Sequence, residues 1–231
     1  MILQNGDPTV GGNLPPCIAA RQAIVEATLT NEHAAGYANA CGTPAARISI
    51  ARHHSYPEHE IRPENVIVAN GCSGALELAL TSLLDPGSTI LVPQPGFPLY
   101  QVIAESHGAF VEQYHLNPDR NWECDLDHLE EIMGRKHNVR AIVINNPSSS
   151  TGSVFSERHI IELLEFALRH RLPVVADEVY GDLTFGANKF HPMAQVAAKI
   201  GRQVPIITTS GISKQFLLPG WRVGWLTFHD K

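Results

Sequence analysis

The sequence predicts an α/β domain with a mostly parallel, seven-stranded sheet and helices on both faces. Three observations predict it. Short β-branched apolar runs recur along the chain, helical stripes lie between them, and unusual polar residues stand directly after the runs. Runs of four to six apolar residues without alternation fit strands covered on both faces. Strands that alternate with helices favour right-handed crossovers in a doubly wound sheet. Ligands in such sheets bind beyond the carboxyl ends of the strands.

The strands are expected near Asn65–Ala69, Thr89–Val92, Phe110–Tyr114, Arg140–Asn145, Pro173–Ala176, Pro205–Thr209 and Arg222–Phe228. Helical patterns fill Gly74–Leu84, Pro98–Ser106, Leu126–Met133 and Ile160–His170. The last carries Ile160, Leu163, Leu164, Ala167 and Leu168 as a stripe, with Ser156 as an N-cap before it. Residues 1–60 differ, with Pro8, Pro15, Pro16, Pro44 and Pro57. They are expected to form an extended arm, a helix over Pro16–Leu29 and a loop through Tyr37–Thr43. Residues 61–231 then form the main domain.

The chain of 231 residues is 44% apolar and 17% charged, a globular composition, with a net charge of −6. Basic residues form no stripe, which argues against nucleic acid. No apolar run has membrane-span length, and the N-terminus has no signal-peptide pattern. Cys17, Cys41, Cys72 and Cys124 have no CxxC spacing, so a reduced cytoplasmic setting is expected, with the mitochondrion as an alternative. His53, His54 and His59 cluster, but no cysteine or paired carboxylate completes a ligand set, so they read as a polar loop or helix end and no metal is expected.

Lys214 follows the run Pro205–Ser210 and precedes Arg222 by eight residues, in a chain with five lysines. Asn70-Gly71-Cys72-Ser73-Gly74 opens a helix after a strand. Small residues there could present free N–H groups to a phosphate, although the segment taken alone reads more readily as a tight structural turn. Phe97 follows another strand and could lie over a flat ring or in the core. Asn146–Gly152 is a polar turn. Asp177 ends an apolar strand, where a carboxylate needs a partner, either a protonated heterocycle nitrogen or a salt bridge. Tyr180 stands three residues on and could reach the hydroxyl of the same ring. Together these residues match one chemistry. A lysine forms a Schiff base with a cofactor aldehyde, a carboxylate holds a pyridine nitrogen protonated, and N–H groups with an arginine hold a phosphate. That cofactor is pyridoxal 5′-phosphate.

Asp177-Glu-Val-Tyr180, Ser213-Lys214 and Pro219-Gly-Trp-Arg222-Val-Gly-Trp225 resemble the fold-type I pyridoxal-phosphate aminotransferases. Asn5–Thr9, Gly71-Cys-Ser73, Pro93–Tyr100 and Asn145–Ser148 narrow the resemblance to the branch that acts on tyrosine. The resemblance implies an enzyme that moves the amino group of an aromatic amino acid to a 2-oxo acid. Lys214 would bond the cofactor and shuttle the proton at the substrate α-carbon. Asp177 would pair with the ring nitrogen, Tyr180 with the ring hydroxylate and Phe97 with the ring face. Gly71 and the N–H groups of Cys72 and Ser73, with Arg222, would hold the phosphate. Tyr37 would reach the phosphate of a neighbouring subunit in a homodimer, and Gly6 would lie against the substrate carboxylate. Another pyridoxal enzyme, such as a carbon–sulfur lyase or a different transaminase, and a non-catalytic ligand-binding module of the same fold are the alternatives.

Two departures from the family pattern stand out. Ser149 and Ser150 replace the second Asn-Pro of the usual loop. The replaced asparagine donates to the ring hydroxylate; serine is shorter, so weaker cofactor binding or a rearranged loop is expected, and the Ser149–Ser150 bond should be trans. Family members also continue into a smaller C-terminal domain that carries the arginine for the substrate carboxylate. The chain is therefore expected to be the large cofactor domain of a longer enzyme, without that arginine.

Overall fold

The computed structural model describes Thr9 and residues 14–229. Eight strands form one sheet: β1 (Val66–Asn70), β2 (Thr89–Gln94), β3 (Phe110–Asn117), β4 (Glu123–Cys124), β5 (Val139–Asn145), β6 (Val174–Asp177), β7 (Ile206–Gly211) and β8 (Val223–His229). Their order is β1-β8-β7-β6-β5-β2-β3-β4. The expected seven strands are thus corrected to eight. The additional one, β4, has two residues and pairs antiparallel with β3, too short to leave a periodic signal. β3, β2, β5, β6 and β7 run parallel, whereas β8 is antiparallel to both β7 and β1.

This polarity decides where the site can be. β1 runs in the same sense as the parallel core, so its carboxyl end and those of β2, β5, β6 and β7 share one edge. β8 runs the other way, so its start, just after Arg222, lies at that edge too.

The apolar strands are covered on both faces. In β5, Ala141 and Val143 pack with Leu76, Leu80 and Ile103 from α3 (Gly71–Leu83) and α4 (Leu99–Ser106). Ile142 and Ile144 face the opposite layer, formed by α5 (Leu126–Arg135), α6 (Glu157–His170) and α7 (Met193–Lys199). In α6 the Ser156 hydroxyl accepts from the His159 amide at 3.2 Å, the expected cap. Ile160, Leu163, Leu164 and Ala167 are buried, but Leu168 is exposed and lies outside the stripe.

The N-terminal region holds more helix than its prolines suggest. α1 (Ile18–Thr30) is the expected helix, with no buried residue. α2 (Pro44–His54) was not expected. Pro44 stands in its first turn, where a missing N–H costs nothing, and Thr43 caps it by accepting from Ala46 N at 3.3 Å. Ile50 and Ala51 pack against Ile61, Val66 and Trp225. His53 and His54 end this helix, and His54 Nε2 accepts from the Trp225 indole at 3.0 Å. Among the described residues no group of three potential metal ligands gathers, and no helix is long and apolar enough to cross a membrane.

Candidate active site

A cavity of about 680 Å³ opens at the shared strand edge. Lys214, Asp177, Tyr180 and Phe97 line it, and so do Cys72, Ser73, Arg222 and Ser149. Eight residues singled out in sequence therefore come together, seven from at or beyond the carboxyl ends of β1, β2, β5, β6 and β7 and Arg222 from just before the start of β8.

The floor is Asp177, the last residue of β6, buried with 3% of its surface exposed. Tyr100 donates its phenol to Oδ2 at 2.6 Å. The Val179 amide donates to Oδ1 at 3.3 Å, and the Cys72 thiol lies 3.7 Å from the same oxygen. Burial pushes the Asp177 carboxyl up, and these three donors hold it down in part. No ion pair joins Asp177 among the described residues. A buried carboxylate with donors but no counter-charge suits a protonated ring nitrogen. Burial and the neighbouring Asp177 push the Cys72 thiol well up, so it stands there as a neutral donor.

The wall toward α3 is built by close backbone approach. α3 begins at Gly71, three residues earlier than expected, so the Cys72 and Ser73 amides lie in its first turn. The N-cap residue Asn70 makes no side-chain cap, which leaves those amides for a ligand. Gly71 has φ +69°, and a Cβ there would run into the Arg222 guanidinium. A Cβ on Gly224 would strike the backbone of Gly71 and Cys72. These two glycines bring the helix N-terminus against the start of β8. Positive helix end, free amides and a guanidinium then converge, a combination suited to phosphate.

Lys214 lies in α8 (Ile212–Gln215), a single turn directly after β7, with Nζ 5.4 Å from the centre of the Tyr180 ring. Phe97 is not in the core: it is 42% exposed and meets the Tyr100 ring edge-on at 5.7 Å. The amide and hydroxyl of Ser149 both donate to Asn145 Oδ1, at 3.1 and 3.4 Å. Among the described residues the cis peptide bonds are Gln94–Pro95 and Asn146–Pro147, so Ser149–Ser150 is trans. Tyr37 lies apart from the cavity, with its side chain fully exposed. Gly6 lies outside the described residues.

Tyr100 and Asn145 were not assigned roles from sequence. Asn145 ends β5 and ties the Asp177 carbonyl at 3.2 Å to the Ser149 loop. The signal for Tyr100 was its place one turn after Phe97, on the buried side of a helix that starts at the strand edge.

The family described as aminotransferase class I and II matches residues 1–231. Tyrosine aminotransferase of Bos taurus is 43% identical over 99% of this chain and 50% of its own length. Tyrosine aminotransferase of Dictyostelium discoideum is 40% identical over 99% of this chain and 53% of its own. The crystal structure of tyrosine aminotransferase from Leishmania infantum superposes with a TM-score of 0.90 at 33% identity, covering 97% of this chain and 60% of that one. The chain spans about half the length of the curated relatives it matches. By its sequence throughout and by its sheet, this chain belongs to the aminotransferase class I and II family, whose members depend on pyridoxal phosphate.

Proposed function

We propose that this chain is the cofactor-binding part of an aminotransferase that moves the amino group of a tyrosine-like aromatic amino acid to a 2-oxo acid. The observation that carries the reading is the meeting of Lys214 and the buried Asp177, which has no ion pair among the described residues, in one cavity, in a chain 43% identical to a tyrosine aminotransferase.

Pyridoxal phosphate, when bound, supplies an aldehyde that bonds to amines and a ring that draws electrons from the bonded carbon. The chain's own residues do the rest. Lys214 Nζ would hold the aldehyde carbon and would carry the proton at the substrate α-carbon. Asp177 would accept from the ring nitrogen and hold it protonated. Tyr180 would donate to the ring hydroxylate, and Phe97 would cover one ring face. The Cys72 and Ser73 amides with Arg222 would hold the phosphate, and Gly71 would make room for that contact. Ser149, turned toward Asn145, replaces the amide donor that relatives of this type place at the ring.

Gly6 is proposed to lie against the substrate carboxylate. The exposed Tyr37 is proposed to serve a neighbouring subunit's phosphate in a homodimer. We keep the division into residues 1–60 and 61–231 as part of the same proposal, with Ile50 and Ala51 packed across it. The four cysteines are free thiols, which supports a cytoplasmic setting. The test is spectroscopic. Tyrosine should bleach the absorbance of the cofactor-loaded protein, and 2-oxoglutarate should restore it. An absorbance indifferent to every amino acid would contradict transamination.

A further inference from the structure

Asp177 is held asymmetrically. Its Oδ2 receives a short bond, 2.6 Å, from the phenol of Tyr100, which is itself 1% exposed and locked among Leu76, Ile103 and Ala104. Its Oδ1 receives only longer contacts, 3.3 Å from the Val179 amide and 3.7 Å from the Cys72 thiol. A phenol bond to a carboxylate at this distance is charge-assisted and directional. A thiol is a weak donor that a better one displaces. One oxygen is therefore saturated from the interior, and the other, beside the cavity-lining Cys72, is open to a stronger partner.

We propose that Tyr100 is a positioning residue that fixes Asp177 through Oδ2, aims Oδ1 at the cofactor ring nitrogen, and keeps the shared proton on that nitrogen. The proposal rests on the pyridoxal-phosphate reading of the cavity. Its logic is a competition for one proton between a pyridine nitrogen and a buried carboxylate. Burial alone raises the carboxylate's affinity for that proton. Donation by Tyr100 lowers it, because the phenol stabilises the ionised carboxylate. The Cys72 thiol and the Val179 amide act in the same direction from the Oδ1 side, and Arg222 lines the same cavity. Without the phenol, the proton moves toward Oδ1 and the ring loses electron-drawing power.

The test is nitrogen-15 NMR of the holoenzyme loaded with cofactor labelled at the ring nitrogen. Tyr100→Phe should move the ring-nitrogen resonance toward its deprotonated position and speed cofactor release about tenfold, the usual consequence of losing a hydrogen bond to a charged group. Replacing Tyr100 with 3-fluorotyrosine makes the phenol a stronger donor at nearly constant shape, so the resonance should move the opposite way. If Tyr100→Phe fails to fold, the fluorinated protein decides alone. A protein that binds the cofactor while its ring-nitrogen resonance ignores these replacements overturns the role of Tyr100 and leaves the cavity reading intact. A wild-type protein that takes up no cofactor overturns both.

Discussion

At the end of the cavity formed by β5, β6 and β7, the group proposed to act is a side chain drawn from the interior: Asp177, buried and supplied with donors by the Tyr100 phenol, the Val179 amide and the Cys72 thiol. At the opposite end, where α3 meets the start of β8, the groups proposed to act are mostly backbone, left open because Gly71 and Gly224 allow two segments to touch and Asn70 does not cap. On the proposed reading, the first end would control charge by burial and the second would control position by absence of side chains. A substitution at the first should therefore act on electronics and proton position, and one at the second on fit.

Lys214→Ala removes the link common to both ends. It should abolish covalent cofactor attachment and lower turnover by about a thousandfold, measured as kcat in the holoenzyme. Asp177→Asn keeps the shape of the ring end but removes its charge. It should lower kcat about a hundredfold, equivalent to about 3 kcal/mol, with a smaller change in cofactor affinity. If affinity fell and kcat held, the charge-control view of that end would be wrong.

Glu178 sharpens the contrast on the ring side. It neighbours Asp177, yet its Oε1 accepts from the Met193 amide and it lines a separate cavity of about 510 Å³ with Tyr56 and His54. Burial pushes its carboxyl up to about 8. The neutral acid is thus favoured by folding. Its contribution is fully present below the ordinary carboxylate value and is lost as pH rises through about 8. Glu178→Gln should remove that loss, so its unfolding free energy at pH 9 should exceed wild type by about 3 to 5 kcal/mol, relative to the difference at pH 4. Parallel pH profiles by chemical denaturation would contradict it.

Gly71→Ala probes the phosphate end. It combines a left-handed backbone with a Cβ in the Arg222 guanidinium, so cofactor affinity should fall roughly tenfold and stability by about 2 kcal/mol, with kcat at saturating cofactor little changed. The smallest effect is expected from the joint change Ser149→Asn with Ser150→Pro. It supplies an amide donor to the ring hydroxylate and should tighten cofactor binding a fewfold by equilibrium titration. Unchanged affinity would mean that the present loop, with Ser149 tied to Asn145, already serves the ring equally well.

Much of this was legible because the strands are β-branched runs with polar residues immediately after them, and parallel topology carries those residues to one edge. Asp177, Lys214 and Arg222 stood out in combination, beside strands and within motifs that resemble the family's, and the structure places all three on one cavity. What escaped detection depends on tertiary contact. Tyr100 looks like any helix tyrosine until the sheet brings Asp177 within 2.6 Å. α2 hides behind Pro44, which reads as a breaker but stands where a helix begins. α7 and β4 are too short for a period to show. The early start of α3 at Gly71 follows from a close backbone packing that local sequence does not encode.

The central claim is that Lys214 is the covalent anchor of the cavity. Borohydride reduction of the cofactor-loaded protein, followed by peptide mapping, tests it directly among the five lysines of the chain. The account predicts a single pyridoxyl mass on the peptide that contains Lys214. Label on Lys136, Lys189, Lys199 or Lys231 in its place, or no label at all, would contradict it.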